Sequence, residues 1–507
     1  MISTSSPPLP LDALWRGGKA TGREEDRVRK GEPGFLEVAG QAGDRFVQGL
    51  DKGAVAPAFT AWLQHFGQQQ PVLRAENGGE WVMDEQLTFP LFLQVLAAMP
   101  RGKAVGAGGL SVELLEACGE EWQRAMHAAM LHDLQRGVVA PAWKTVLYAL
   151  LVKKAPNNPE LIDERREIAL MAQELKLLLQ MVRWKSFARC EGQVDAAQAG
   201  WTAGAGAPDP GITLQAAVQD ARRTRRLLYV LYIDLAQFFP RMNRSIQSMA
   251  ELFEGLPPAV VELAIMIYGR HVAGGDDAVR CQYDTADGLS RAFKNHMGAL
   301  MGCVWSPSKA KILLQSVVQA IAATVTGYVP WGSDGGTPQV CFGDDWAGLG
   351  GSAAEVRAMW AIWAAWEPIV GAKIGIKGTV KTVLTGVDWR HGRAAAVADL
   401  ALRTAEGTLV GFLRFDEAYR HLGNLRRADG GGAVGWLGCK GEAGLRGKLR
   451  AVLARLRRIR KGAMTEDEFT MVSDMLLNGT ATFYLQSLYV SFKQLDGVEG
   501  SWRRIYA

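Results

Sequence analysis

The stretch PQVCFGDDWAGLGG, residues 338–351, sets two acids side by side, Asp344 and Asp345, between apolar Val340-Cys341-Phe342 and Trp346-Ala347. Both flanks read as strand, so the stretch predicts a hairpin with Gly and Asp at its tip. A solvated tip accounts for the acids structurally. The chemical alternative is that something positive meets them, because desolvating adjacent carboxylates is costly without compensation.

A third acid bears on that choice. RRLLYVLYIDLAQFF, residues 225–239, is a mostly apolar run leading into Asp234, and it predicts a buried central strand. Three carboxylates on rigid strands suit a pair of Mg²⁺ ions about 3.5–4 Å apart, the arrangement used in nucleotidyl transfer. Such ions supply the positive charge the acids lack. Between strand and hairpin the pattern predicts helices, with one at 306–325 and another at 353–369 after the hairpin. A strand–loop–strand at 373–386 and a short strand pair around 408–425 follow. This order predicts an α+β sheet with helices packed on one face. Upstream, the pattern predicts helix from about 85 and over 111–137, strand at 145–154, a long helix over 167–183 and a Gly/Pro-rich loop at 200–212. Helix is also expected around 55–68 and through most of 440–490.

The chain has 507 residues, 48% of them apolar and 21% charged, which is globular composition with room for several subdomains. No apolar run reaches the ~18–20 residues of a membrane span, and the N-terminus lacks a secretory pattern. No membrane partner is expected, and the expected location is intracellular, in nucleus or cytoplasm. Six scattered cysteines, without CxxC spacing, predict neither structural zinc nor a disulfide framework. Net charge is only +5, yet RGKLRAVLARLRRIRK (446–461) holds eight Lys/Arg and no acid. Its apolar residues recur at helical spacing, giving one greasy and one basic face. The basic face is either solvated, a localisation signal or a phosphate-contacting surface.

Several segments resemble, in order, the motifs of reverse transcriptases, especially those of non-LTR (LINE-like) retrotransposons, over residues 85–425. MPRGKAVGAGG resembles the early template-contacting signature, with Lys103. The KK pair beginning at Lys153, then Arg166-Glu167-Ile168 and Lys176, fall where the family has its fingers pattern. YIDLAQFFPRM resembles motif A, and GALMGCVWSP motif B, with Gly298, Gly302, Ser306 and Pro307 in register. FGDD is motif C, GAKIGIKGTVKT resembles motif D, and YRHLG (Tyr419 to Gly423, through Leu422) resembles the primer grip. Departures are Met301 in place of the motif B Gln, Glu167 in place of Pro, Ala107-Gly108 in place of Pro-Asp, and Gly343, which is more typical of RNA-dependent RNA polymerases.

The resemblance implies a right-hand polymerase with a ferredoxin-like antiparallel palm sheet: leader 1–84, helical fingers 85–225, palm 226–425 and helical thumb 426–507. It implies an RNA-directed DNA polymerase that extends a DNA primer with dNTPs on an RNA template, using two Mg²⁺ ions, with Mn²⁺ as a substitute. Asp234, Asp344 and Asp345 would be the metal ligands. Arg166 and Lys153 would meet the triphosphate, Gly302 would lie beside the nucleotide, and Lys381 would protonate the departing pyrophosphate. A surface role for each basic residue is the alternative. Phe239, five residues after Asp234, would exclude a ribose 2′-hydroxyl; otherwise it is a core residue, as one of Phe238 and Phe239 must be if both lie on a strand. Template and primer contacts would come from Lys103, Ser306, Tyr419, Leu422, Gly423 and the thumb residues Arg450, Arg457 and Arg458. Ser306-Pro307 also suits a capped helix start. An RNA-directed RNA polymerase and a catalytically degenerate nucleic-acid-binding copy are the alternatives. The leader of roughly 80 residues is too short for the endonuclease that commonly precedes such polymerases, so the chain is expected to be part of a larger product or to use nicks made elsewhere.

Overall fold

The computed structural model describes residues 83–137, 139–152, 165–192, 194–269, 279–285, 288–295, 297–378, 381–422 and 424–430, with Trp62 and scattered positions between 438 and 476. In chain order these form α1 (Met83–Gln86), α2 (Phe89–Ala98), α3 (Val112–Ala117), α4 (Gly119–Gln135), β1 (Thr145–Val152), β2 (Arg165–Leu170), α5 (Gln173–Gly192), α6 (Pro208–Thr224) and β3 (Leu227–Ile233). Next come α7 (Phe238–Arg241), α8 (Arg244–Phe253), α9 (Pro258–Tyr268), β4 (Val279–Thr285), β5 (Gly288–Leu289), β6 (Phe293–Asn295) and α10 (Ser306–Thr324). Last are β7 (Gln339–Phe342), β8 (Asp345–Gly350), α11 (Ala353–Val370), β9 (Val383–Asp388), β10 (Ala395–Ala396), β11 (Gly411–Phe412), β12 (Tyr419–His421) and β13 (Asn424–Arg426). The protein is a mixed α+β chain with several sheets. No helix among the described residues is long and apolar enough to cross a membrane.

Backbone contacts divide the chain into two compact units that interleave in sequence. The first takes residues up to 194, 237–316 and 367–373; the second takes 195–236, 317–366 and 374 onward.

The first unit holds a mixed sheet in the order β2-β1-β4-β5, with β6 on β4. Strand β1 is antiparallel to β2 and parallel to β4. Arg244, buried on α8, donates hydrogen bonds to the carbonyls of Asn295, Met297 and Gly298. One guanidinium thereby fixes the loop that leads toward Gly302.

The second unit holds the sheet β10-β9-β3-β8-β7, all antiparallel, with β11 added parallel to β9. Strand β3, LLYVLYI, is buried along almost its whole length and central, as its apolar run requires. Leu228, Val230 and Tyr232 face a core shared with Leu214, Ala217 and Ala221 of α6. The opposite face carries Trp346, whose ring meets Trp363 of α11 at 5.5 Å, edge to face. Helix α11 opens on Ser352-Ala-Ala-Glu355: the Glu355 N–H donates to the Ser352 hydroxyl, and the Glu355 carboxylate accepts from the Gly351 N–H. That exchange is a capping box in all but one position.

Five expectations are corrected here. Helices cover both faces of the central sheet, not one, because both faces of β3 are apolar. Residues 165–170 are strand β2 rather than the start of a helix; pairing with β1 overrides their helical pattern. The loop expected at 200–212 ends at Pro208, where the prolines at 208 and 210 sit in the first turn of α6. The strand leading into Asp234 ends at Ile233 as expected, but Phe238 and Phe239 are not strand neighbours: Phe238–Arg241 is a helical turn that follows Gln237 in the left-handed region. The first arm of the pair expected at 373–386 is a single bridge from Leu235 to Ile374. The helices expected at 306–325 and 353–369 are α10 and α11. The helix expected around 55–68 and most of the tail lie outside the described residues.

Candidate active site

The hairpin and β3 bring the three aspartates to one sheet end. Phe342 pairs with Asp345 across β7 and β8, leaving Gly343-Asp344 as a two-residue turn. Gly343 has φ +65° and Asp344 does not share the positive φ, the pattern of a II′ hairpin turn. Strand β3 pairs with β8 through Ile233 opposite Trp346. Carrying that register one residue further sets Asp234 opposite Asp345, on the face of Tyr232 and away from buried Trp346.

Gln198, to which the sequence assigned no role, and Gly200 and Trp201 at the start of the expected loop brace the turn. The Gly343 N–H donates to Gln198 Oε1 at 2.8 Å, and Gln198 Nε2 donates to the Gly343 carbonyl at 3.0 Å. The Gly200 N–H donates to the same Gln198 oxygen at 2.9 Å. A Cβ on Gly343 would lie 2.8 Å from the ring of Trp201, and one on Gly200 would strike the Gly343 backbone. No periodicity marks Gln198 or Trp201.

Asp234 is held from the other side. Its N–H donates to Thr382 Oγ1 at 3.1 Å, and its carbonyl accepts from the Gly375 N–H at 2.7 Å. Its carboxylate receives the Lys381 ammonium on both oxygens, at 2.8 and 3.0 Å. Tyr419 stacks on Tyr232, with ring centroids 4.3 Å apart, and donates its hydroxyl to the Lys381 carbonyl at 2.6 Å. Residues Gly375 to Thr382 and Tyr419 thus converge beside Asp234.

The electrostatics follow from this crowding. Asp345 is exposed as a residue, yet surrounding protein strips water from its carboxyl. That desolvation, then the charges of Asp344 and Asp234, push it up to about 7 against the opposing pull of Lys381. Hard carboxylate oxygens with an unmet demand for positive charge fit a divalent cation of the Mg²⁺ type. Among the described residues, however, no three His, Cys, Asp or Glu side chains gather closely enough to hold a metal as they stand.

The remaining candidates divide between the units. In the first, Lys103 lines a cavity of about 400 Å³ with Lys176, Trp184 and Gly302. Gly302 has φ +112°, and a Cβ there would lie 2.7 Å from the Ala169 carbonyl oxygen. Arg166 is exposed on β2, opposite Leu151. The Ser306 hydroxyl donates back to the Leu300 carbonyl at 2.7 Å, tying the start of α10 to the loop before it. Phe238 is buried and Phe239 half-buried, and they belong to a helical turn rather than to opposite faces of a strand. In the second unit, Leu422 turns the β12–β13 hairpin at φ +48°. Lys153, Gly423, Arg450, Arg457 and Arg458 lie outside the described residues.

No model of a known protein family matches the chain, and no curated protein matches it.

Proposed function

We propose that the chain is an RNA-directed DNA polymerase of the retrotransposon type, with a right-hand fold whose palm is the sheet around β3. One observation carries the reading: the β3–β8 register that sets Asp234 opposite Asp345, with Asp344 in the adjoining turn. Asp234, Asp344 and Asp345 would hold Mg²⁺, which when bound supplies positive charge to the triphosphate and the departing pyrophosphate. Lys381, whose ammonium contacts Asp234, would be the proton donor to the leaving group. Lys103 and Gly302, sharing one cavity, support a template contact, and Arg166 offers an exposed planar cation for phosphate oxygens.

The glycine of FGDD does not argue for RNA synthesis. Its positive φ and the Trp201 ring against it account for glycine on conformational grounds. A second reading, a nucleic-acid-binding protein without catalysis, is favoured by the ungathered acids and by Met301 in place of Gln.

Primer extension on an RNA template, with dNTPs or rNTPs and with Mg²⁺ or Mn²⁺, separates these readings. Extension with dNTPs is expected, and Phe239→Ala should raise ribonucleotide incorporation. Extension with rNTPs alone would indicate an RNA polymerase. Binding without extension under any condition would favour the second reading.

A further inference from the structure

We propose that Lys381 is an electrostatic placeholder for the divalent cation: in the metal-free protein its ammonium occupies both oxygens of the Asp234 carboxylate, and an arriving metal must displace it. The inference rests on the nucleotidyl-transfer reading and adds a device that controls metal entry.

The contact itself is the first argument. Lys381 Nζ reaches both oxygens of Asp234, at 2.8 and 3.0 Å, which neutralises the whole carboxylate rather than one edge of it. Asp234 has little freedom apart from this grip. Its backbone is pinned to Thr382 and Gly375, and a Cβ on Gly375 would lie only 2.8 Å from Asp234 Oδ2. Glycine at 375 leaves room for the carboxylate in its lysine-bound position.

Lysine, in contrast, is anchored where it need not move and free where it must. Its carbonyl is fixed by Tyr419, while its side chain is 45% exposed and can leave into solvent without being buried elsewhere. A monocation satisfies one carboxylate; a dication among three gains more, so the exchange runs toward metal once metal is present. The lysine this exchange releases is a free ammonium beside the site, as a proton donor for pyrophosphate needs to be.

The test is Mn²⁺ binding to the full chain without nucleic acid or nucleotide, followed by electron paramagnetic resonance of the free ion. Lys381→Met should bind Mn²⁺ roughly five- to tenfold tighter than wild type, the effect of removing one nearby positive charge from a half-exposed site. Lys381→Arg, which keeps the charge, should match wild type. Equal or weaker binding by Lys381→Met, with Asp234→Asn losing binding, overturns the placeholder and leaves the polymerase reading intact. If wild type binds no Mn²⁺ and Asp234→Asn is indistinguishable from it, the metal reading fails and the placeholder with it. A readout without substitution guards against variants that do not fold: acylation of Lys381 in wild type, read by peptide mass spectrometry, should quicken when Mn²⁺ is added. A rate unchanged or slowed by Mn²⁺, in a protein that binds it, overturns the proposal.

Discussion

At residue 343 the turn tolerates no side chain. A Cβ would impose the left-handed strain that L-residues resist, about 1–2 kcal/mol, and would press on the Trp201 ring as well. Gly343→Ala should therefore destabilise the second unit by roughly 2–3 kcal/mol in urea unfolding, given the usual range for strain combined with overpacking. It should also reduce extension by moving Asp344. An unchanged unfolding midpoint would show that the Gln198–Trp201 brace does not constrain the turn. Asp344→Asn is the complementary change, since it keeps the turn and removes one charge. It should abolish extension while template–primer binding stays within about twofold, because few nucleic-acid contacts depend on one carboxylate. Loss of binding with normal turnover per bound enzyme would contradict the role given to Asp344.

The β12–β13 hairpin carries an unusual burden for an element of its size. His421 is buried against Tyr232, at 5.1 Å between rings, and neither ring nitrogen has a hydrogen-bond partner among the described residues. Burial, then the charge of Arg426, hold its imidazole down to about 3. The unfolded chain takes up a proton near pH 6.5 and the folded chain only near 3, so stability is full above 6.5 and falls as pH drops toward 3. The loss over that window is of the order of a few kcal/mol for this one group. His421→Leu should flatten the acid limb of the urea midpoint against pH and leave neutral stability equal or higher, since two orphaned nitrogens disappear. An acid limb as steep as wild type would remove His421 as its cause. The elements differ in how far pattern alone revealed them. Strand β3, the FGDD hairpin, α10 and α11 were legible because each is long or uniformly apolar enough for its own periodicity to decide. Strand β2 was not, because RREIAL reads as helix until β1 supplies a partner. Strands β5 and β6 were missed because they are two and three residues long and defined by pairing with β4, while the apolar–polar alternation of β4, which pairs with β1, was a signal left unread.

Across the whole molecule, the part of the site built on strands was readable and the part built on braces was not. Three aspartates announced themselves by standing at strand ends. Gln198, Trp201 and Thr382 act through side-chain contacts with backbone far away in the sequence, which no linear pattern encodes. Charge is likewise informative by distribution rather than by total, since a net +5 on 507 residues decides little. Of the run Arg446–Lys461, the described positions Leu449, Leu453 and Leu456 are buried, as the apolar stripe requires. Helical spacing of the run would set its basic residues on the opposite face, the arrangement a contact with a nucleic-acid backbone needs. If about four of them contact duplex phosphates, the logarithm of template–primer affinity should fall with the logarithm of salt concentration at a slope of roughly −3 to −4. Replacing Arg457 and Arg458 with Gln should make the slope shallower by about 2 and weaken binding alike on unrelated sequences. Filter binding or fluorescence anisotropy between about 50 and 200 mM salt reads both quantities, a range over which such contacts change affinity by orders of magnitude. A slope near zero in wild type, or one that the double substitution does not alter, would mean that the duplex is held elsewhere and that this helix only packs.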